Sequence, residues 1–132
     1  MSKLILNDSI YDFSYNPLTN TIFTIIEKGI KVIDTLSNKS IYYYATTERP
    51  KSISISPDGT KLGLGFNNLI EILNILEDKS LERYRFIGYP SYTDIYSYSY
   101  IYGFKSISFK NNNLLFSEGY IIELYEEEEE LD

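Results

Sequence analysis

The chain has no cysteine, no histidine and no tryptophan, and one methionine in 132 residues. Without cysteine it can build neither a disulfide framework nor a thiolate metal site. Without histidine the usual general base at neutral pH is missing, and the thiolate nucleophile is gone as well. The carboxylates Asp12, Glu27, Asp34, Glu71, Asp94, Glu118 and Glu123 are scattered, with no paired or metal-ligand spacing. No catalytic residue, metal or cofactor is therefore expected. Asp34 aligns with Asn74 in the repeat described below, which gives it a turn-capping role after a strand.

Basic residues are few: 12 Lys and Arg stand against 19 Asp and Glu, for a formal charge of −7. No basic stripe is present to neutralise phosphates, so nucleic acid is not an expected partner. No apolar run is long enough to span a bilayer, and no basic segment followed by an apolar one opens the chain. The expectations are no membrane contact and a cytoplasmic location, the host cell interior if the protein is viral. The acidity is concentrated at one end. Glu126–Glu130 and Asp132 supply six of the 19 acids, leaving 13 against 12 bases in residues 1–125. Residues 126–132 read as a solvated, self-repelling tail, or as a lure for a basic partner.

Tyrosine (14) and phenylalanine (7) are abundant, together with isoleucine, and such residues favour pleated, half-buried surfaces. The stretch SISISPDGTKLGLGF, from Ser52, shows how they are deployed. Ile53 and Ile55 alternate with serines, which puts them on one face of a strand. Ser56-Pro57-Asp58-Gly59 then supplies a turn. Proline pre-sets φ, aspartate accepts from nearby backbone N–H groups, and glycine takes the left-handed conformation that closes a three-residue hairpin. Lys61–Phe66 returns as the partner strand. Gly63 and Gly65 lie inside that strand, so they form no phosphate-binding loop; they permit close approach of a neighbouring layer.

Displaced by 40 residues, the chain matches itself. Pro17 falls on Pro57, Ile22 on Leu62, Ile30 on Ile70, Val32 on Ile72, Leu36 on Leu76, Lys39-Ser40 on Lys79-Ser80 and Tyr44 on Tyr84. A looser third copy follows. Lys105-Ser106-Ile107-Ser108 repeats Lys51-Ser52-Ile53-Ser54, and Ile121-Ile122-Glu123-Leu124 repeats Leu69-Ile70-Glu71-Ile72. A period near 40 with about four strand-like runs per unit is the signature of a propeller blade.

The segment Val32-Ile33-Asp34-Thr35, followed by Arg49-Pro50-Lys51-Ser52-Ile53-Ser54-Ile55-Ser56-Pro57-Asp58-Gly59-Thr60-Lys61-Leu62, resembles the YVTN-type β-propeller repeat, kin in shape to WD40-like repeats. The resemblance covers Ile10 to Tyr84 well and Phe104 to Tyr125 weakly; the third unit replaces the Pro-Asp-Gly turn with Lys110-Asn111-Asn112-Asn113, and the chain has no Trp-Asp pair. It implies an all-β fold of propeller-type blades. Ser-Pro-Asp-Gly hairpins serve propellers of unrelated function, so it implies no particular activity.

The strands expected are Ile10–Tyr15, Thr21–Ile26, Ile30–Asp34 and Ser40–Ala45 in the first unit, and Ser52–Ser56, Lys61–Phe66, Leu69–Asn74 and Leu81–Phe86 in the second. The third unit offers Ser106–Phe109, Leu114–Ser117 and Tyr120–Tyr125, one strand short of four. Ahead of the first unit, Lys3-Leu4-Ile5-Leu6 is an apolar strand with no place in its own blade. These two irregularities suit one another. The expectation is a single domain, 1–125, with blades at about 9–45, 51–86 and 104–125, the last completed by strand 3–6 of a partner chain. Three blades are too few to close a ring of four to eight. A homodimer would make six, with Leu4, Ile5 and Leu6 of one copy beside Ile122 and Leu124 of the other. A compact monomeric β-sandwich that keeps propeller-like hairpins is the alternative.

The repeat offset grows from 40 (Tyr11 to Lys51) to 54 (Lys51 to Lys105), so about 14 residues are inserted after Tyr84. In this insertion Tyr96, Tyr98, Tyr100 and Tyr102 alternate and would face one side of an extended arm. Such a row offers rigid contact area with a hydroxyl at the tip. It packs on the protein's own blades or the dimer seam, or it is the binding surface for another protein; stacking on sugars or single-stranded bases comes third. The function expected is a non-enzymatic protein-interaction or scaffold module. A small-ligand or glycan-binding propeller, and a structural component of a virion or surface layer, are the alternatives.

Overall fold

The computed structural model describes residues 9–67, 69–88, 106–117 and 120–123. Among these residues, eleven strands form three antiparallel sheets, each ordered as its strands follow in the chain. The first sheet joins β1 (Asp12–Asn16), β2 (Thr21–Ile26), β3 (Gly29–Asp34) and β4 (Lys39–Ala45). The second joins β5 (Ser52–Ile55), β6 (Lys61–Gly65), β7 (Leu69–Ile75) and β8 (Leu81–Gly88). The third contains β9 (Ser108–Asn111), β10 (Leu114–Ser117) and β11 (Tyr120–Glu123).

The 40-residue offset is kept in detail. β2 opens at Thr21 and β6 at Lys61, β3 at Gly29 and β7 at Leu69. Even the irregularity repeats: β3 and β4 slip register between Val32 and Ile33, and β7 and β8 slip between Ile72 and Leu73. A bulge at the same place in both sheets bends the outer strand and re-aims its side chains in the same way. The sheets converge along their first strands, with β1 against β5 and β5 against β9. Three sheets stacked in this way, rather than two facing layers, separate the fold from a β-sandwich and agree with part of a propeller.

Strand alternation assigns the second sheet's side chains to two different cores. Leu62, Leu64, Leu73 and Leu81 pack with Phe23, Ile25, Ile30 and Val32 of the first sheet. Ile70 and Ile72 turn the other way and pack with Ile107, Phe109 and Leu115 of the third. Each such side chain taken fully out of water contributes about 1.5–3 kcal/mol, so these two seams dominate the stability of the fold. Gly63 lies on the second seam. A Cβ there would stand 3.2 Å from Ile107 Cδ1 and 3.3 Å from Phe109 Cε2, so the glycine does provide close approach.

The Ser56–Thr60 turn links all three sheets. The Ser56 N–H donates to Lys61 O at 2.9 Å, which leaves four residues in the connection rather than the three expected. The reason is visible in the side chains. Asp58 Oδ1 accepts from Ser56 Oγ at 2.8 Å, Thr60 Oγ1 at 2.7 Å and Thr60 N–H at 3.0 Å, while Lys61 N–H donates to Ser56 Oγ at 2.9 Å. Gly59 takes φ +75°, and a side chain there would strike Asn16 of the first sheet's own turn. On the other side, Asp58 N–H donates to Asn112 Oδ1 of the third sheet at 2.9 Å. Ser54 adds a second tie, accepting from Phe109 N–H at 3.2 Å. Ser54 and Ser56, placed by strand alternation, thus also carry bonds that position neighbouring elements.

Burial pushes the Asp58 carboxyl up, but the bonds from Thr60 and Ser56, aided by the charge of Lys61, hold it below its ordinary value of 3.8. A carboxylate depressed in the folded state contributes stability above its unfolded pKa, and that contribution is lost as pH falls through the folded one. Asp58→Asn should therefore lower stability at pH 7 and shrink the loss of stability below about pH 4, as measured by urea unfolding across pH. An acid limb identical to that of the native chain would contradict this assignment.

Candidate functional site

β7 reads Leu-Ile-Glu-Ile-Leu-Asn-Ile and is covered on both faces, so its one acid, Glu71, is carried into the seam between the first and second sheets. Glu71 is 3% exposed. A carboxylate taken out of water is costly unless it is paired and hydrogen-bonded. Here it has two partners on Oε2: the Tyr44 hydroxyl of β4 donates at 2.5 Å, and Arg83 Nε of β8 donates at 3.2 Å. Tyr44 comes from the first sheet, so the bond crosses the seam. Burial, and then the bond to Glu71, raise the Tyr44 phenol above its ordinary value. Hydrogen bonding to Tyr44 and then Glu71 raises the Arg83 guanidinium.

The bulge in β8 makes the cluster possible. Leu73 lies opposite Arg83 and Glu71 opposite Phe86, while the register shift between Ile72 and Leu73 takes up the extra residue. Arg83 and Phe86 therefore share a face three residues apart, and the guanidinium sits 4.3 Å from the centre of the Phe86 ring. Above them opens a cleft of about 510 Å³. Its lining includes Phe66, Leu69 and Phe86, Thr46, Thr47 and Glu48 on the connection from the first sheet to the second, and Glu71 and Arg83. Thr46 N–H donates to Lys28 O at 3.0 Å and Thr46 Oγ1 to Glu48 O at 2.6 Å, which fixes this connection.

Other polar ties hold the same seam. Tyr42 donates to Leu81 O at 3.3 Å, and Lys79 Nζ lies 3.4 Å from Asp34 Oδ1. Asp34 caps its turn as expected, accepting from Ser37 Oγ at 2.9 Å and from Leu36 N–H at 3.4 Å. The Ser37 bond is the main cause that holds its carboxyl below the ordinary range.

Of the residues singled out from sequence, Tyr96, Tyr98, Tyr100 and Tyr102 lie outside the described residues, as do Leu4, Ile5, Leu6, Leu124 and the tail 126–132. Ile122 lies on β11, opposite Leu115 of β10, and Glu123 opposite Leu114. Glu27, on the surface, accepts from the Tyr11 hydroxyl at 2.6 Å and lies 3.8 Å from Arg49. Asp94 and Glu118 lie outside the described residues. Among the described residues no group of three His, Cys, Asp or Glu comes together, and no helix is long and apolar enough to cross a membrane. Reasoning from sequence left Glu71 among scattered acids. The signal that could have found it is a single charge inside an otherwise apolar strand buried on both faces.

No family model matches the chain, and no curated protein matches it by sequence. Its fold does match solved structures. The U3-55K structure and the crystal structure of the RRP9 WD40 repeats each align with 85% of this chain at TM-score 0.66 and 16% identity. The hydrazine synthase of Kuenenia stuttgartiensis aligns with 82% at TM-score 0.62 and 13% identity. At such identities the likeness shows the fold alone, and that fold is WD40-like. The chain spans about a third of each of these structures, 33% of the first two and 28% of the third.

If the Glu71 cluster clamps the seam, Tyr44→Phe should cost about 1–3 kcal/mol of unfolding free energy, the penalty for leaving a buried acceptor short of its donor. Chemical denaturation checks it, and a change below about 0.5 kcal/mol, the level of an ordinary surface substitution, would contradict the clamp.

Proposed function

We propose that this chain is a non-enzymatic protein-interaction scaffold: half of a six-bladed WD40-like propeller, completed by a second copy. The supporting observation is a contrast between equivalent positions. Phe13 and Ile53 occupy the same place in successive repeats; Phe13 is 60% exposed and Ile53 is 9% exposed. The register of β1, β2, β3 and β4 puts Phe13, Tyr15 and Tyr43 on one face of the first sheet, opposite the face that packs on the second. All three are exposed, and exposed Tyr11 continues the β1 row. An end repeat that met only water would need a polar outer face. This one carries aromatics, the residues enriched at interfaces.

The two copies would close head to tail, the first blade of each following the third blade of the other. The apolar segment 3–6 would then supply the strand that the third unit lacks, and the Tyr96–Tyr102 row would serve the seam or an outside protein. Two identical seams related by a two-fold axis satisfy closed symmetry, and closure removes the exposed ends of an open stack. The interaction role rests on the fold and on the absence from the sequence of the usual catalytic groups; the fold alone does not select a partner.

Light scattering on the native chain should give twice the 15.4 kDa of one copy. Phe13→Glu, and separately deletion of residues 2–7, should give a folded single copy. A native chain that stays single at micromolar concentration, or a deletion variant that stays dimeric, would overturn the ring or the strand exchange respectively.

A further inference from the structure

The cleft over Glu71 already holds a cation, and that cation belongs to the chain itself. The Arg83 side chain is 62% exposed while that of Glu71 is 4% exposed, so the guanidinium approaches the carboxylate from the solvent side. It meets two features, Oε2 of an acid oriented by Tyr44 and the Phe86 ring at 4.3 Å, in a cleft whose lining includes Phe66 and Leu69. Glu48 adds a second carboxylate among the lining residues. An aromatic face and a fixed, desolvated carboxylate beside apolar side chains suit an arginine side chain, whichever chain supplies it. The volume, about 510 Å³, falls within the range of sites that take ligands, roughly 300–1,000 Å³.

Charge selects between ligand classes. Among the lining residues, Glu48 and Glu71 outweigh Arg83, and displacing Arg83 leaves two acidic residues and no basic one in the lining. An anionic ligand would meet a cation already neutralised by Glu71 and a repelling Glu48, whereas a guanidinium meets complementary charge throughout. Arg83 sits on β8, at the outer end of its sheet, so its side chain can swing into solvent without breaking a ladder hydrogen bond.

We propose that the cleft between the first two sheets is a recognition site for an exposed arginine of a protein partner, with Arg83 as the internal occupant that the incoming guanidinium displaces. This deepens the protein-interaction reading, and it can be tested without any partner protein, so either reading can fail alone. In the resting protein Arg83 fills the site, which lowers apparent affinity by the fraction of molecules in which it is displaced.

The test is a titration of N-acetyl-arginine amide into the full chain, followed by calorimetry or by NMR shifts of residues lining the cleft, at low salt. N-acetyl-glutamate amide is the control of opposite charge. Arg83→Ala, checked by circular dichroism, should bind the arginine derivative about tenfold more tightly than the native chain, as expected when an internal competitor is removed. The double variant Arg83→Ala with Glu71→Gln should lose that gain. Arg83→Met keeps the apolar stem and gives the same readout should the alanine variant unfold. An Arg83 variant that is folded yet binds arginine no more tightly than the native chain would overturn the proposal, as would one that prefers the glutamate derivative.

Discussion

A Cβ on Gly63 would crowd the side chains of Ile107 and Phe109, which would have to give by a few tenths of an ångström, and would touch Leu115 at ordinary contact distance. The rest of the arrangement depends on that contact, because it requires the second sheet to be covered on both faces. Once Ile70 and Ile72 are given to the third sheet and Leu62, Leu64 and Leu73 to the first, the buried middle positions of β6 and β7 must each suit one of two cores. A strand of this kind has no polar side to show to solvent, and β7 reads as a nearly unbroken apolar run.

Apolar seams bring the sheets together without fixing their alignment, since burial is proportional to area and indifferent to direction. Alignment comes from the polar ties. Asp58 N–H meets Asn112 Oδ1 at one turn, Ser54 Oγ accepts from Phe109 N–H, and Tyr42 and Tyr44 reach Leu81 O and Glu71 from the first sheet. Each tie satisfies a group that would otherwise be buried or left short of a partner, so a shift of one sheet against the next would leave several polar groups unsatisfied at once. The buried acid at the first seam is therefore a structural element and also the floor of a cleft, which is why one residue enters both the account of stability and that of recognition.

Much of this was legible in the sequence because it repeats. The match of Pro17 with Pro57 and of Val32 with Ile72 located the strands of both four-stranded sheets to within two residues, and alternation named the faces. Gly63 was readable as a point of close approach because a glycine inside a strand has few other uses. The bulges were not readable, since nothing in Ile41 or Tyr84 marks the slip in register, and without the slip Arg83 and Phe86 would fall on opposite faces. The Glu71 cluster was missed for the same reason. It joins residues 27 and 12 positions apart from two sheets, and only the seam brings them together. The fourth residue in the Ser56–Thr60 connection escaped notice because Asp58 satisfies so many local donors that a looser loop becomes stable.

The chain spans about a third of the length of the WD40 structures whose fold it matches. Its first sheet exposes Phe13 where the second sheet buries Ile53, and the seam principle that explains the inside of the molecule is the basis of the closure proposed for that outer face. The most direct test of that principle is the unfolding free energy of Gly63→Val. On a sheet face packed against Ile107 and Phe109, the added methyl groups overpack the seam and should destabilise the protein by about 1–3 kcal/mol. Were that face open, valine would suit the strand better than glycine, and a neutral or increased stability would contradict the account.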